Sequence, residues 1–236
     1  MPKRYWYVIV TYILMQLSAV VISVIIQLSN TTAATAFTIS IYWSIFSFIA
    51  ALGLILIFLR PDMKRGSERG AAGFGTVLLW SVLGVFLAYL AQLAAVMIET
   101  FLLGIKPGSE NTMEIMEIAR AAPIFILIPA LIAPILEEII FRKIIFGTLF
   151  KRTNFVIAAL ASALIFALVH MDPLHLLTYT AMGFVFAYLY VQTKRIIVPI
   201  VAHIAMNTIT VMAQFSYTPE DIERMREQLQ MIIIGG

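Results

Sequence analysis

Apolar runs long enough to cross a bilayer recur through most of the 236 residues, and they decide what this chain can fold into. A helix needs roughly 17–25 residues to span the hydrocarbon core. Runs of that order fall at about 5–28, 37–59, 73–103, 121–150, 155–171, 174–193 and 196–215. Inside lipid each backbone N–H and C=O must be paired within its own segment, so such runs are expected to be helices. The expected fold is all-α, a polytopic transmembrane helix bundle of about seven spans forming one integral membrane domain over residues 1–236. Short interfacial helices should accompany it. Met113 to Arg120 reads as one, and the amphipathic tail from Pro219 to Ile234 reads as a surface helix. The first run, from Tyr5 to about Leu28, exceeds the roughly 7–15 apolar residues of a signal-peptide core and is expected to remain as a span.

Composition and charge close off several functions. Hydrophobic residues make up 61% and charged residues 12% of the chain, against about 45–50% and about 25% in soluble domains. Lipid must cover much of that apolar surface. The net charge of +3 comes from basic residues in short clusters between apolar runs. That pattern orients a membrane protein and does not point to nucleic acid. If seven spans alternate, Lys3, Arg4, Arg60, Lys64, Arg65, Arg69, Lys151, Arg152, Lys194 and Arg195 share one side. The opposite loops hold Glu110, Glu114, Glu117, Asp172 and Glu220. A cell-membrane protein with a cytoplasmic N-terminus and an outside C-terminus is expected. The absence of cysteine excludes disulfides, thiolate metal sites and a cysteine nucleophile.

Ionisable residues at the centre of a membrane helix cost at least about 2.5–3.5 kcal/mol each. Those present therefore need a reason. They concentrate in Pro134-Ile-Leu-Glu137-Glu138-Ile-Ile-Phe141-Arg142, in Phe166-Ala-Leu-Val-His170 and in His203-Ile-Ala-Met-Asn207. Glu138 and Arg142, four residues apart, share a helical face and are expected to pair. Glu137 points about 100° away and has no partner on its own helix. His203 and Asn207 share a face, as do Phe166 and His170. At about 1.5 Å per residue from the basic ends, Glu137 lies about 20 Å deep, His170 about 22 Å, Asn207 about 16 Å and His203 about 10 Å. Pro134 and Pro199 should kink their helices and open water-accessible space beside these groups.

A carboxylate and two histidines beside such a space suit water activation. Glu137 with His170 can take a proton from water. His203 and Asn207 can hydrogen-bond the oxyanion of a tetrahedral intermediate. Other protease chemistries fit poorly. There is no His-Glu-x-x-His zinc motif and no Gly-x-Ser-x-Gly elbow, and Asp62, Asp172 and Asp221 all fall outside the apolar runs. Ser162 shares a face with His170 but lies eight residues away, too far for direct activation. His175 reads as interfacial, and Glu99 as a residue that snorkels or pairs locally.

The three motifs together, in this order and each within a span, resemble those of the CAAX prenyl protease and bacteriocin-processing (CPBP) family, in a bacterial member. The resemblance runs from about Pro123 to Gln214 and identifies 123–214 as the catalytic core. It implies an intramembrane endopeptidase, with Glu137 and His170 as water activators, His203 and Asn207 as oxyanion stabilisers, and Glu138, Arg142 and Phe166 in support. The implied partners are a membrane-associated protein or peptide substrate and the bilayer itself. No cofactor is favoured. A zinc ion on Glu137, His170 and His203 is the minority reading, since part of the family carries a metalloprotease label. The non-enzymatic alternatives are a membrane scaffold, a bacteriocin-immunity protein or a proton-coupled carrier. Against the carrier stands the lack of paired internal repeats.

Overall fold

The computed structural model describes residues 1–65 and 69–217, together with 221, 224, 227, 228 and 231. Among these residues every regular element is helical. The helix expected over Pro219 to Ile234 falls largely outside the described residues.

Two long helices, α1 (Lys3–Leu28) and α2 (Ala33–Lys64), form a hairpin. Thr32 caps α2 by accepting the Thr35 N–H at 3.3 Å. Helix α2 runs beyond the apolar stretch 37–59, because polar residues at its aqueous end sustain the helix without contributing apolarity. Asp62 therefore lies inside a helix, where Arg4 clasps it at 2.6 and 3.1 Å and closes the base of the hairpin. Helix α3 (Phe74–Phe101) leads to α4 (Glu110–Ala121), the short helix expected from Met113 to Arg120. Ser109 caps α4, accepting the Thr112 N–H at 3.2 Å.

The next span, α5, covers Pro123–Phe150. It is followed by α6 (Phe155–Val169), by α7 (Leu176–Thr193) after a 3-10 turn at Pro173–His175, and by α8 (Ile197–Ser216). Among the described residues six helices are long and apolar enough to cross a membrane. Helix α6 is the shorter seventh. Its 15 residues rise only about 22 Å, less than the roughly 30 Å hydrocarbon core. Met171 stops the helix early, with φ of +54° in the left-handed region, so His170 stands at the helix mouth and not one turn further on.

The two ends of the bundle differ in chemistry. At one end, besides the Arg4–Asp62 pair, Lys194 Nζ donates to the Arg69 carbonyl at 3.1 Å and Arg195 Nε to the Ala72 carbonyl at 3.0 Å. At the other end Arg120 holds the carbonyls of Gln214 and Tyr217. Close helix approach depends on glycine. A Cβ on Gly183 would sit 2.9 Å from Ala163 Cβ, and one on Gly84 2.6 Å from Leu189. Small residues at such crossings let membrane helices gain van der Waals contact, the main attraction left where lipid is as apolar as protein. The largest core packs α5 against α1, α2, α6 and α7 through Val8, Ile55, Leu136, Phe141, Phe166 and Tyr179.

Candidate active site

Helix α5 is not a regular α-helix. It is π-helical over Ile128–Ile132 and Glu138–Phe146, with a short α-helical piece, Ala133–Glu137, between. In the first wide turn the Ala133 N–H reaches back five residues to the Ile128 carbonyl. In that register the Pro129 carbonyl would face the nitrogen of Pro134, which carries no hydrogen. Asn207 of α8 supplies the missing donor, its Nδ2 lying 2.9 Å from Pro129 O. Pro134 thus frees a carbonyl, and that carbonyl orients Asn207. In the second wide turn Ser162 of α6 donates to the Phe141 carbonyl at 2.6 Å. Ser162 is therefore a buried tie between helices. Pro199 departs from expectation: it falls in the first turn of α8, where its N–H would have no helical partner anyway, so no kink is required.

The ionisable groups of α5 and α8 form a chain. Arg142 Nε lies 3.2 Å from Glu138 Oε2, as the four-residue spacing predicts. Glu138 Oε1 lies 2.9 Å from His203 Nδ1, and His203 Nε2 lies 3.8 Å from Glu137 Oε2. Arg142 and Glu138 are fully buried, whereas the Glu137 side chain keeps 15% of its surface exposed. Two arginine nitrogens, Nη1 and Nη2, have no hydrogen-bond partner among the described residues. Aromatic faces surround the guanidinium instead, with its carbon 4.3 Å from the Phe166 centroid and 5.2 Å from that of Phe186. Phe186, which no spacing argument singles out, also stacks on His203 at 4.6 Å.

His170 approaches the same cluster from α6. Its Nδ1 lies 2.8 Å from the Phe166 carbonyl. A carbonyl only accepts, so Nδ1 carries the hydrogen and the neutral ring presents Nε2 as an acceptor. Phe166 stands between the two histidines, 4.5 Å from the His170 ring and 6.1 Å from that of His203. Glu137, Phe166, His170, His203 and Asn207 all line one cavity of about 570 Å³. Tyr12 and Gln16 of α1, Ser44 of α2 and Gln92 of α3 line it as well.

His175, read as interfacial, and Glu99, read as snorkelling or pairing locally, are both buried within the protein. His175 is buried, with Nδ1 3.0 Å from Asp172 Oδ1. Burial pushes the Asp172 carboxyl up, but hydrogen bonds from Ser109 and His175 outweigh it and hold the group below the usual carboxylate value. Glu99, also buried, accepts the Thr178 N–H at 2.9 Å and the Thr178 hydroxyl at 2.8 Å. It therefore caps the first turn of α7 from a different helix. Neither could be found from spacing, because the partners are 79 residues apart for Glu99 and depend on the early stop of α6 for His175.

Among the described residues no three His, Asp or Glu side chains gather as a site for an ion. Nδ1 of each motif histidine meets an internal oxygen, which leaves Nε2 of each ring as the nitrogen a metal would take.

Fold and cavity together define a polytopic membrane protein that gathers ionisable groups around a cavity in its helix bundle. Comparison with known proteins gives the class a family. Residues 119–209 match the type II CAAX prenyl endopeptidase Rce1-like family. The chain is 44% identical over its whole length to the putative membrane peptidase YdiL of Bacillus subtilis, of which it covers 99%. It is 38% identical over 162 residues to the membrane-embedded CAAX protease MroQ of Staphylococcus aureus, covering 66% of this chain and 65% of that one. No solved structure gives a significant match. The chain belongs to the Rce1-like CAAX protease family of membrane peptidases.

Proposed function

We propose that the chain is an intramembrane endopeptidase that cleaves a membrane-associated protein or peptide with water activated by Glu137 and His170. The observation that carries this reading is the convergence of Glu137, His170, His203 and Asn207 on one cavity within the membrane bundle. Glu137 and Nε2 of His170 are two acceptors on this cavity that can meet a water molecule. Water gives up a proton there as its oxygen adds to the scissile carbonyl carbon. The oxyanion forms opposite Asn207, whose amide keeps a second N–H after bonding Pro129, and opposite His203. His203 donates through Nε2 when its ring holds two protons, and Glu138 and Glu137 stand on either side of it as counter-charges. The C–N bond then breaks, and the proton taken from water passes to the leaving amine.

Orientation belongs to the same reading. The N-terminus is cytoplasmic and the C-terminus outside, supported by the basic residues at the end of the bundle that carries Arg4, Lys194 and Arg195. The chain has no cysteine, so a single Ser216→Cys variant would be labelled by an impermeant maleimide in intact cells. Labelling only after lysis would reverse the orientation.

The deciding experiment compares peptide termini in membrane and secreted fractions of cells carrying wild-type protein or Glu137→Gln at matched levels. Termini present with wild type and lost with Glu137→Gln are expected. Identical termini would sink the peptidase reading and leave a non-enzymatic scaffold. Cleavage should also survive chelation. Activity lost to chelator and restored by zinc would replace the metal-free mechanism.

A further inference from the structure

His170 is clamped on two sides, and only one of them belongs to its own helix. Phe166 fixes the ring edge and Nδ1 from one turn back. Across the cavity the ring of Tyr179, in the first turn of α7, lies against the imidazole with centroids 4.1 Å apart and planes inclined by 30°. Tyr179 is itself buried and held at both ends of the residue. Its hydroxyl lies 3.0 Å from Ser109 Oγ and accepts from Asn111 Nδ2 at 3.5 Å. Its neighbour Thr178 is fastened to Glu99 of α3. Ser109 is at the same time the cap of α4.

We propose that Tyr179 is a positioning residue for His170, its ring setting the plane of the imidazole and its hydroxyl tying that plane to the start of α4. The proposal rests on the peptidase reading for its consequence in catalysis, though not for its geometry. A water-activating ring must hold its nitrogen within a fraction of an ångström of the productive position, and small misplacements cost rate. His170 needs an outside support because it sits past the last residue of α6, next to the left-handed Met171. With Phe166 alone it would be free to swing about its χ angles into the cavity. The tie to α4 has a further consequence. Asn111, Thr112, Ile115 and Met116 of α4 line the cavity, so a displacement of α4 reaches the His170 ring through one hydroxyl.

The chain has three histidines, which allows a test that needs no substrate. Protein labelled in its histidine rings, in lipid nanodiscs, gives imidazole signals assignable with His170→Gln, His175→Gln and His203→Gln. The ring current of Tyr179 should displace the His170 signals upfield. Tyr179→Leu should abolish that displacement, while Tyr179→Phe and Ser109→Ala should keep it but broaden or split the signal as the ring loses its tie. In cells, the yield of Glu137-dependent termini should fall about tenfold to a hundredfold with Tyr179→Leu and recover only in part with Tyr179→Phe, which restores the ring without its tie. His170 signals unchanged between wild type and Tyr179→Leu would overturn the proposal, whatever the cleavage result. If Tyr179→Leu does not accumulate, Ser109→Ala decides: a His170 signal as sharp and as displaced as in wild type overturns it. Cleavage retained by Glu137→Gln would instead overturn the peptidase reading and leave the clamp standing.

Discussion

Helices α1 and α5 are equally apolar in sequence and play opposite parts in the molecule. In the most apolar stretch of α5 half the residues are buried, against 11% in the corresponding stretch of α1. Leu14, Val20 and Val21 of α1 face outward, while Leu136, Phe141 and Ile144 of α5 are enclosed. In water that contrast would follow from hydropathy. In lipid it cannot, because a lipid tail and a leucine side chain offer an apolar surface much the same surroundings. What separates the two helices is the polar and irregular content of α5: two glutamates, an arginine, prolines and two wide turns. These features need neighbours, and the neighbours bury the helix.

The sharpest way to break that contrast is to unpair α5. Arg142→Leu leaves Glu138 buried with His203 as its remaining partner and should cost about 3–5 kcal/mol of stability. A thermal melt in detergent reads this, and a transition temperature unchanged from wild type would mean that the pair does not hold α5. Adding Glu138→Gln to Arg142→Leu should recover part of the loss. Next in size is Asn207→Ala, which leaves the fold in place and removes a proposed oxyanion donor. Turnover should fall about 10²–10³-fold, or about 2.7–4 kcal/mol, and wild-type turnover would strike Asn207 from the mechanism.

Smaller effects sharpen the comparison. Gly183→Ala places a methyl 2.9 Å from Ala163 Cβ and 3.3 Å from an Arg142 nitrogen. Overpacking of this kind costs about 1–3 kcal/mol, visible as a lower melting temperature. A neutral result would show that α6 and α7 can separate without disturbing Arg142. At the bottom of the scale, Leu14→Ala and Val21→Ala on α1 should stay within about 0.5 kcal/mol of wild type. A large loss at either position would mean that this face of α1 is packed against another protein in the membrane.

The apolar runs, their order and their approximate lengths were legible in the residues, since only helices can carry such runs through lipid. Pairing within one helix was legible too: Glu138 and Arg142 meet because four residues make one turn. The three motifs could be read as a set, and they do line one cavity. The termination of α6 at His170 was partly legible, because Pro173 forbids a long continuation, but the left-handed Met171 was not.

What tertiary structure alone decided is every contact between helices. That Asn207 answers a carbonyl left open by Pro134 depends on α5 adopting a π register, which the residues of α5 do not dictate by themselves. That Glu99 caps α7, and that Tyr179 lies on His170, depends on α3 and α6 packing against α7. The physical reason is range. Helical periodicity relates residues three or four apart, and the chain states it directly. Partners 70 or 79 residues apart in sequence meet only because burying a polar group in a bilayer without a hydrogen bond is so costly that the helices arrange themselves to supply one.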